Sequence, residues 1–506
     1  MSREDQLSVA PPNGRLQKLA LIGVVLFVFA WSVARAQIQS VTLDEADTYF
    51  WFVSRADIFY PYPNNHVLNT LLIWTATHLL GPSPITLRAG ALVGTVVYLA
   101  ASFSIATTIS QRFLRRFATL TCLTLNPFIM DFMVAARGYS IANGFLLAAV
   151  AIAMWYAVSR RLSLTSSCLL ASAALGLSLS ANFSFGIVDT VACLALTIWA
   201  IRESRLMEHP STTSIVLACV LPGLLVVFAI CGYPLTHMRK QNLFYGAHSL
   251  GEMVSSLVDA SLYHINPRFG GSLFKIMQFL YPKLLPTLGA LGAASLACQP
   301  LEPRHPVRKE ARVARGLALG IAGIAALSFA LHLIAFRALG LLLPLSRTGI
   351  FFLPLCTLIL AALASTQALS LPSRLLQCAL LSTMFCLAFY FCLCLRGRYF
   401  KEYQDGADNV DVYSFLVRLN RDHPFHDIAG DGTYVSPLNF YLEADKHPFP
   451  PLEYVFGDGP KGKAIYVVHK SYDRTLIERL RLQIIYYGAS TSVVVAVPSD
   501  EGVMSQ

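Results

Sequence analysis

The sequence predicts a polytopic α-helical membrane protein that ends in a small α/β domain outside the membrane. Three observations carry this. Hydrophobic residues make up 55% of the 506 positions and charged residues only 13%, against about 25% charged in a soluble domain. Mean hydropathy over the whole chain is +0.55, more than a single anchor could produce. The apolar runs stop near residue 396, and 397–506 returns to ordinary polarity.

A membrane-crossing helix needs about 20 mostly apolar residues. Such runs lie at 17–37, 87–110, 117–136, 140–158, 165–182, 185–202, 213–233, 278–298, 315–336, 348–366 and 374–395, about eleven spans. The first is expected to be retained rather than cleaved, because Arg35 falls where a small-residue cleavage site is needed. The run 67–80 is apolar but short and carries His78, so it is expected to lie along the interface or re-enter. The tail alternates a helical stretch (410–420), a strand (464–469), a helix (471–484) and a strand (492–498), with turn signals at Asp431-Gly432 and at 457–460.

Charge sets the threading. The chain carries 39 Lys and Arg against 29 Asp and Glu, a net +10. Arg15 and Lys18, the Arg112–Arg115–Arg116 loop, Arg160 and Arg161, Arg202 and Arg205, and the basic run 304–315 all fall on one side. The positive-inside rule makes that side the cytoplasm. An odd number of spans then puts the C-terminus outside a plasma (inner) membrane. Basic residues scattered through short loops argue for membrane lipids, and against nucleic acid, as partners. The 11 cysteines lie in or beside apolar runs and read as small packed hydrophobes, not a disulfide scaffold.

The outer face holds the chemistry. The first outer loop, 39–87, opens with SVTLDEADTYFWF. A helix there places Asp44 and Asp47 along one face and Glu45 about 100° away. Carboxylates held close raise one another's pKa. That suits a general base acting on a hydroxyl, with Asp44 and Glu45 as candidates, or a divalent cation on the same pair. The plain alternative is an acidic cluster at a helix N-terminus. The aromatic run 49–52 is expected at headgroup level. Asn65 and His66 follow in the same loop, Arg137 and Tyr139 stand in an Arg-Gly-Tyr at the outer end of a later span, and Arg88 and Arg347 also sit at outer helix ends. An arginine on the disfavoured side is often paired with an anion, and its planar fork matches phosphate. Snorkelling to lipid headgroups is the alternative. No Gly-rich phosphate loop follows a strand.

The Asp-Glu pair in the first outer loop, the downstream Asn-His, the Arg-Gly-Tyr, Ser346-Arg347 before Phe-Phe-Leu-Pro, and the tail run from Tyr434 through Pro437 to Tyr441 together resemble the GT-C superfamily of membrane glycosyltransferases. Within it the chain is similar to glycosyltransferase family 39-like proteins, the protein O-mannosyltransferases and lipid A aminoarabinose transferases. The similarity is strongest over residues 40–145. Relatives have His-Pro-Pro where this chain has Asn65-His66-Val67. The resemblance implies a GT-C-like transmembrane domain over 1–396 and an extracytoplasmic α/β domain over 397–506. It implies an inverting transfer of a hexose or pentose from a polyprenyl-phosphate sugar donor to an extracytoplasmic acceptor. Carried over, Asp44 is the base with Glu45 second, Arg137 binds the donor phosphate, and Asn65, His66, Arg88, Tyr139 and Arg347 complete the substrate site. A polytopic transporter or lipid flippase is the rival reading. It wants polar residues near the bilayer midplane, whereas here they load one face. A non-catalytic assembly subunit, which would tolerate loss of Asp44 and Glu45, is the third.

Overall fold

The computed structural model describes residues 12–206, 211–239, 245–262, 272–297, 309–366, 370–455 and 463–499. The first helix, α1 (Pro12–Ile38), is followed by the short outer helices α2 (Leu43–Thr48), α3 (Val67–Leu80) and α4 (Pro84–Leu87). The bundle continues with α5 (Ala89–Ile109), α6 (Phe113–Thr124), α7 (Pro127–Phe132), α8 (Tyr139–Ser159), α9 (Leu164–Ala181), α10 (Gly186–Leu206), α11 (Thr212–His237), α12 (Leu250–Leu262), α13 (Ser272–Ala297), α14 (Lys309–Leu339), α15 (Phe352–Ser365) and α16 (Leu371–Cys394). Local sequence sets the starts. Ser163, Ser211 and Ser370 cap α9, α11 and α16, each accepting from the backbone N–H three residues on.

Among the described residues, eight helices are long and apolar enough to cross a membrane: α1, α5, α8, α9, α10, α11, α14 and α16. The structure is that of a multi-pass membrane protein; among the described residues, eight of the eleven expected runs form helices that meet both conditions. The 117–136 run is not one helix. Asn126 accepts from the N–H groups of Phe128 and Ile129, and Pro127 starts α7, so the apolar run breaks at its middle. The 348–366 run yields only the 14-residue α15, and α3 has 14 residues as well. At 1.5 Å per residue these reach about 21 Å, short of the roughly 30 Å hydrocarbon core. The 304–308 part of the basic run lies outside the described residues.

Small residues let the bundle close. A Cβ on Gly94 of α5 would overlap the backbone of Ile141 at the start of α8, and one on Gly144 would meet Gly94 O at 2.8 Å. That close approach is how apolar helices gain packing where no hydrophobic drive separates protein from lipid.

The tail folds on the end of the bundle that carries α2. Helix α17 (Asn409–Asp422) leads into β1 (Ile428–Gly430), α18 (Gly432–Ala444), β2 (Glu453–Tyr454), β3 (Ile465–His469), α19 (Arg474–Arg479), β4 (Leu482–Tyr487) and β5 (Val493–Pro498). The sheet order is β2-β1-β3-β5-β4, with β1 parallel to β2 and β3, and β5 antiparallel to β3 and β4. Two tail expectations change. Asp431-Gly432 is not a turn: Asp431 caps α18, accepting from Thr433 N. The 471–484 helix ends at Arg479; Arg481 takes a positive φ, and the β-branched and aromatic residues that follow pair as a strand. The 457–460 turn signal lies outside the described residues. Tail and first outer loop are joined by hydrogen bonds: Ser40 Oγ to Ala407 O (2.8 Å), Val41 N to the Tyr441 hydroxyl (2.8 Å) and Asn409 Nδ2 to Val41 O (3.1 Å).

Candidate active site

The acidic loop forms its short helix because Thr42 and Glu45 close a capping box. Thr42 Oγ1 accepts from Glu45 N at 3.3 Å, and Thr42 N donates to Glu45 Oε2 at 3.0 Å. Glu45 is 0% exposed and forms a two-pronged pair with Arg88: Nε to Oε1 at 2.9 Å, Nη2 to Oε2 at 2.8 Å. Arg88 uses its remaining donors on Ala36 O, Gln39 O and Ser40 O, carbonyls that α1 leaves open at its end. Ala136 N donates to Glu45 Oε1 at 2.9 Å. One buried ion pair therefore ties the ends of α1, α2 and α5 to the segment before Arg137.

This corrects two expectations. Sequence placed Glu45 as a second base and Arg88 as a substrate ligand; the structure turns both away from the cavity, with every donor of Arg88 and both oxygens of Glu45 taken by protein partners. Burial opposes ionising Glu45, and Arg88 overrides it, holding the carboxyl below its usual range.

Asp44 points the other way, into a cavity of about 410 Å³ that it lines with Asn64, His66, Tyr139, Tyr245 and Arg347. Its Oδ2 accepts from the Tyr403 hydroxyl at 2.8 Å and lies 3.3 Å from Arg347 Nη1 and 3.6 Å from Arg137 Nη2. Burial would raise the Asp44 carboxyl; Arg137, Arg347 and Tyr403 together reverse that and keep it lowered and ionised. Asp47 is half-buried outside this cavity, and burial pushes its carboxyl up. The aromatic run splits. Trp51 is exposed, whereas Tyr49 is buried and its hydroxyl donates to Glu443 at 2.5 Å, so it anchors the loop to the tail, not to headgroups.

Arg137 is 1% exposed and stands behind Asp44, not on the cavity wall. It donates to Asp44 O and Thr48 Oγ1, both at 3.2 Å, and to Asn64 Oδ1. It thus contacts both the backbone and the carboxylate of Asp44. Gly138 beside it takes φ +72°, and a Cβ there would overlap Ala181 O and crowd His66. Arg347 is the arginine that reaches the cavity. It donates to the Tyr403 hydroxyl at 2.9 Å, lies 3.5 Å from Glu402 Oε2 and stacks on Tyr245 at 4.7 Å.

His66 lines the cavity at 5% exposure, and neither ring nitrogen has a hydrogen-bond partner among the described residues. Burial, then Arg137, lower its pKa well below the usual histidine value, so the ring is neutral. Asn65, expected to face the substrate, turns its amide into the loop. Its Nδ2 donates to Ile58 O (2.8 Å) and Tyr60 O (3.0 Å), and its Oδ1 accepts from Thr70 Oγ1 (2.8 Å). It holds the loop so that its neighbours, Asn64 and His66, face inward.

Asp44 and Glu45, the pair considered from sequence for a cation, point to different sides of the loop helix. Each is committed to different arginines, and no group of three or more metal-ligating side chains occurs among the described residues. Sequence reasoning missed Tyr245, His332, Glu402 and Tyr403, and it noted Asn64 in the loop's polar cluster without assigning it to the site. His332, one face of α14, lines the wall with its Nδ1 2.8 Å from Ser328 O. Glu402 and Tyr403 stand about 360 residues from Asp44, and no local pattern announces them.

No protein-family model matches the chain, and no curated protein does. Among solved structures it is similar to ArnT from Cupriavidus metallidurans in the apo state, at 12% identity over 96% of this chain and 98% of that one, TM-score 0.44. It is similar to the same protein bound to undecaprenyl phosphate, at 13% identity over 98% and 100%, TM-score 0.46. It is also similar to the archaeal oligosaccharyltransferase AglB from Archaeoglobus fulgidus in complex with an inhibitory peptide and a dolichol-phosphate, at 11% identity over 96% and 75%, TM-score 0.43.

Proposed function

We propose that the chain is an inverting membrane glycosyltransferase that moves a sugar from a polyprenyl-phosphate donor to an acceptor outside the plasma membrane. The observation that carries this is the setting of one cavity-lining carboxylate, Asp44, between Arg347 and Arg137 at a single end of a lipid-embedded bundle. Apolar residues, Ile187, Ala335 and Leu341 to Leu343, line another part of the wall. A lipid phosphate with an apolar tail matches that pairing. The GT-C resemblance of residues 40–145 agrees with it.

On this reading the donor phosphate takes over Arg347. Asp44 then loses one of its two cations and gains an anionic neighbour, and both changes raise its affinity for a proton. The acceptor O–H or N–H approaches the anomeric carbon from the side opposite the phosphate. Its proton passes to Asp44 as the new bond to carbon forms. The bond from carbon to the phosphate oxygen breaks, and the electron pair leaves with the polyprenyl phosphate, whose growing charge Arg347 stabilises. Tyr139, Asn64 and the neutral His66 offer hydrogen bonds to sugar hydroxyls. The sign of the charge bias puts this end outside and the N-terminus in the cytoplasm.

The test is transfer by purified chain in liposomes from a panel of undecaprenyl-phosphate sugars, read by mass spectrometry, with envelope lipid-linked sugars compared in cells with and without the chain. Sugar release that depends on Asp44 is expected. No transfer from any donor, with unchanged lipid-linked sugars in cells, would overturn the reading.

A further inference from the structure

A second cavity, of about 990 Å³, opens at the opposite end of the bundle. Gln17 of α1, the α5–α6 turn, Ala311 of α14, the end of α15 and the start of α16 enclose it. Helix α14 runs from Ala311 here to Ala335 on the candidate active site. At 1.5 Å per residue these lie about 36 Å apart, so the cavity is no part of the catalytic machinery.

Three arginines, Arg112, Arg115 and Arg374, line it, and no carboxylate does so among the described residues. None of the three forms an ion pair with a described residue. Arg115 is aimed by design of its neighbours. Its Nη2 donates to Gln377 Oε1 at 2.9 Å, and Gln377 is itself held by Nε2 donating to Thr366 O at 2.7 Å. The adjacent Arg116 behaves differently, turning away to bond Ser110 O and Gln111 Oε1. Positive-inside topology explains why arginines occur at this end. It does not explain why three converge on one concavity, where their mutual repulsion is unfavourable without an anion. Exposed leucines accompany it: Leu114 lines the cavity and is 57% exposed, and Leu371 and Leu375, near Arg374 on α16, are exposed. A cationic concavity with exposed leucines nearby, at the end of membrane helices, fits an amphiphile with a phosphate head.

We propose that this cavity binds the headgroup of an anionic phospholipid, its phosphate held by Arg112, Arg115 and Arg374 and its acyl chains lying along Leu114 and Leu375. The test uses the purified full chain in detergent, with lipid binding read by native mass spectrometry. The probes are phosphatidylglycerol, phosphatidylcholine and inorganic phosphate. Arg112 and Arg374 are exposed, so Arg112→Gln and Arg374→Gln are not expected to disturb folding. Each should weaken phosphatidylglycerol binding by about fivefold. Arg161→Gln, an exposed cation of another loop, should leave it unchanged. Phosphatidylcholine should bind at least about tenfold more weakly than phosphatidylglycerol, because zwitterionic lipid lacks the net charge. Equal retention of the two lipids would overturn the proposal, as would parental binding by both arginine variants. Arginine-dependent saturation by inorganic phosphate that displaces the lipid would overturn the lipid assignment.

Discussion

Asp44 and Glu45 are adjacent in sequence and opposite in role. Asp44 faces the cavity with cations arranged around it, whereas Glu45 is locked to Arg88 with no exposure. Asp44→Asn should therefore cut turnover by at least about a hundredfold, the usual scale of general-base loss, with the thermal unfolding midpoint nearly unchanged. Glu45→Gln should fail by unfolding. Removing one partner of a buried pair costs about 3–5 kcal/mol, and Glu45→Gln combined with Arg88→Met should recover part of it. The pair also sets a pH dependence. Glu45 has a carboxyl lowered from 4.5, so its contribution to stability is complete above about pH 4.5 and drains away as pH falls through the folded value. Unfolding midpoints measured from pH 7 downward should fall faster in the parent than in the double variant. Arg347→Lys keeps the charge but loses the fork that bridges Tyr403 and the cavity. A lost charge-assisted contact of about 1.5–3 kcal/mol predicts donor binding at least about tenfold weaker, measured by titration with a polyprenyl phosphate.

At the scale of elements, the site rests on close helix contacts. Gly94→Ala would drive a methyl into the Ile141 backbone where α5 meets α8. Overpacking of that kind costs about 1–3 kcal/mol, so the variant should unfold at a lower temperature and lose activity in proportion to folded protein, without a change in KM. Most long helices were legible because runs of apolar residues need no partner to be recognised. The break at Asn126-Pro127 was written in the sequence as a capping residue followed by proline, and the apolar count over 117–136 hid it. The sheet was half legible. The valine-rich β3 and β5 announce themselves, whereas β1 and β2, three and two residues long, are fixed by pairing with β3 and with each other.

For the whole molecule, the charge bias predicts both the active-site end and the C-terminus outside. A reporter joined after Gln506 should be active only in the outer compartment, and a signal confined to the cytoplasm would reverse the threading. The first loop was the legible part of the site because its acids, amides and histidine lie within 23 residues, 44–66. Arg137 and Arg347 could be picked out one by one as misplaced cations, but which of them reaches the cavity depends on how helices pack. Tyr403 and Glu402 could not be picked out at all, since their importance exists only once the tail has folded back onto α2. That return has a consequence for biogenesis. A ribosome that has delivered the first outer loop has delivered the carboxylate but not the hydroxyl and the acid that frame it. A chain threaded only that far holds Asp44 without the Tyr403 hydroxyl that donates to it. The frame closes only when the tail docks on the first outer loop. On the proposed function, order of synthesis would leave the transfer site incomplete until the tail is made and docked.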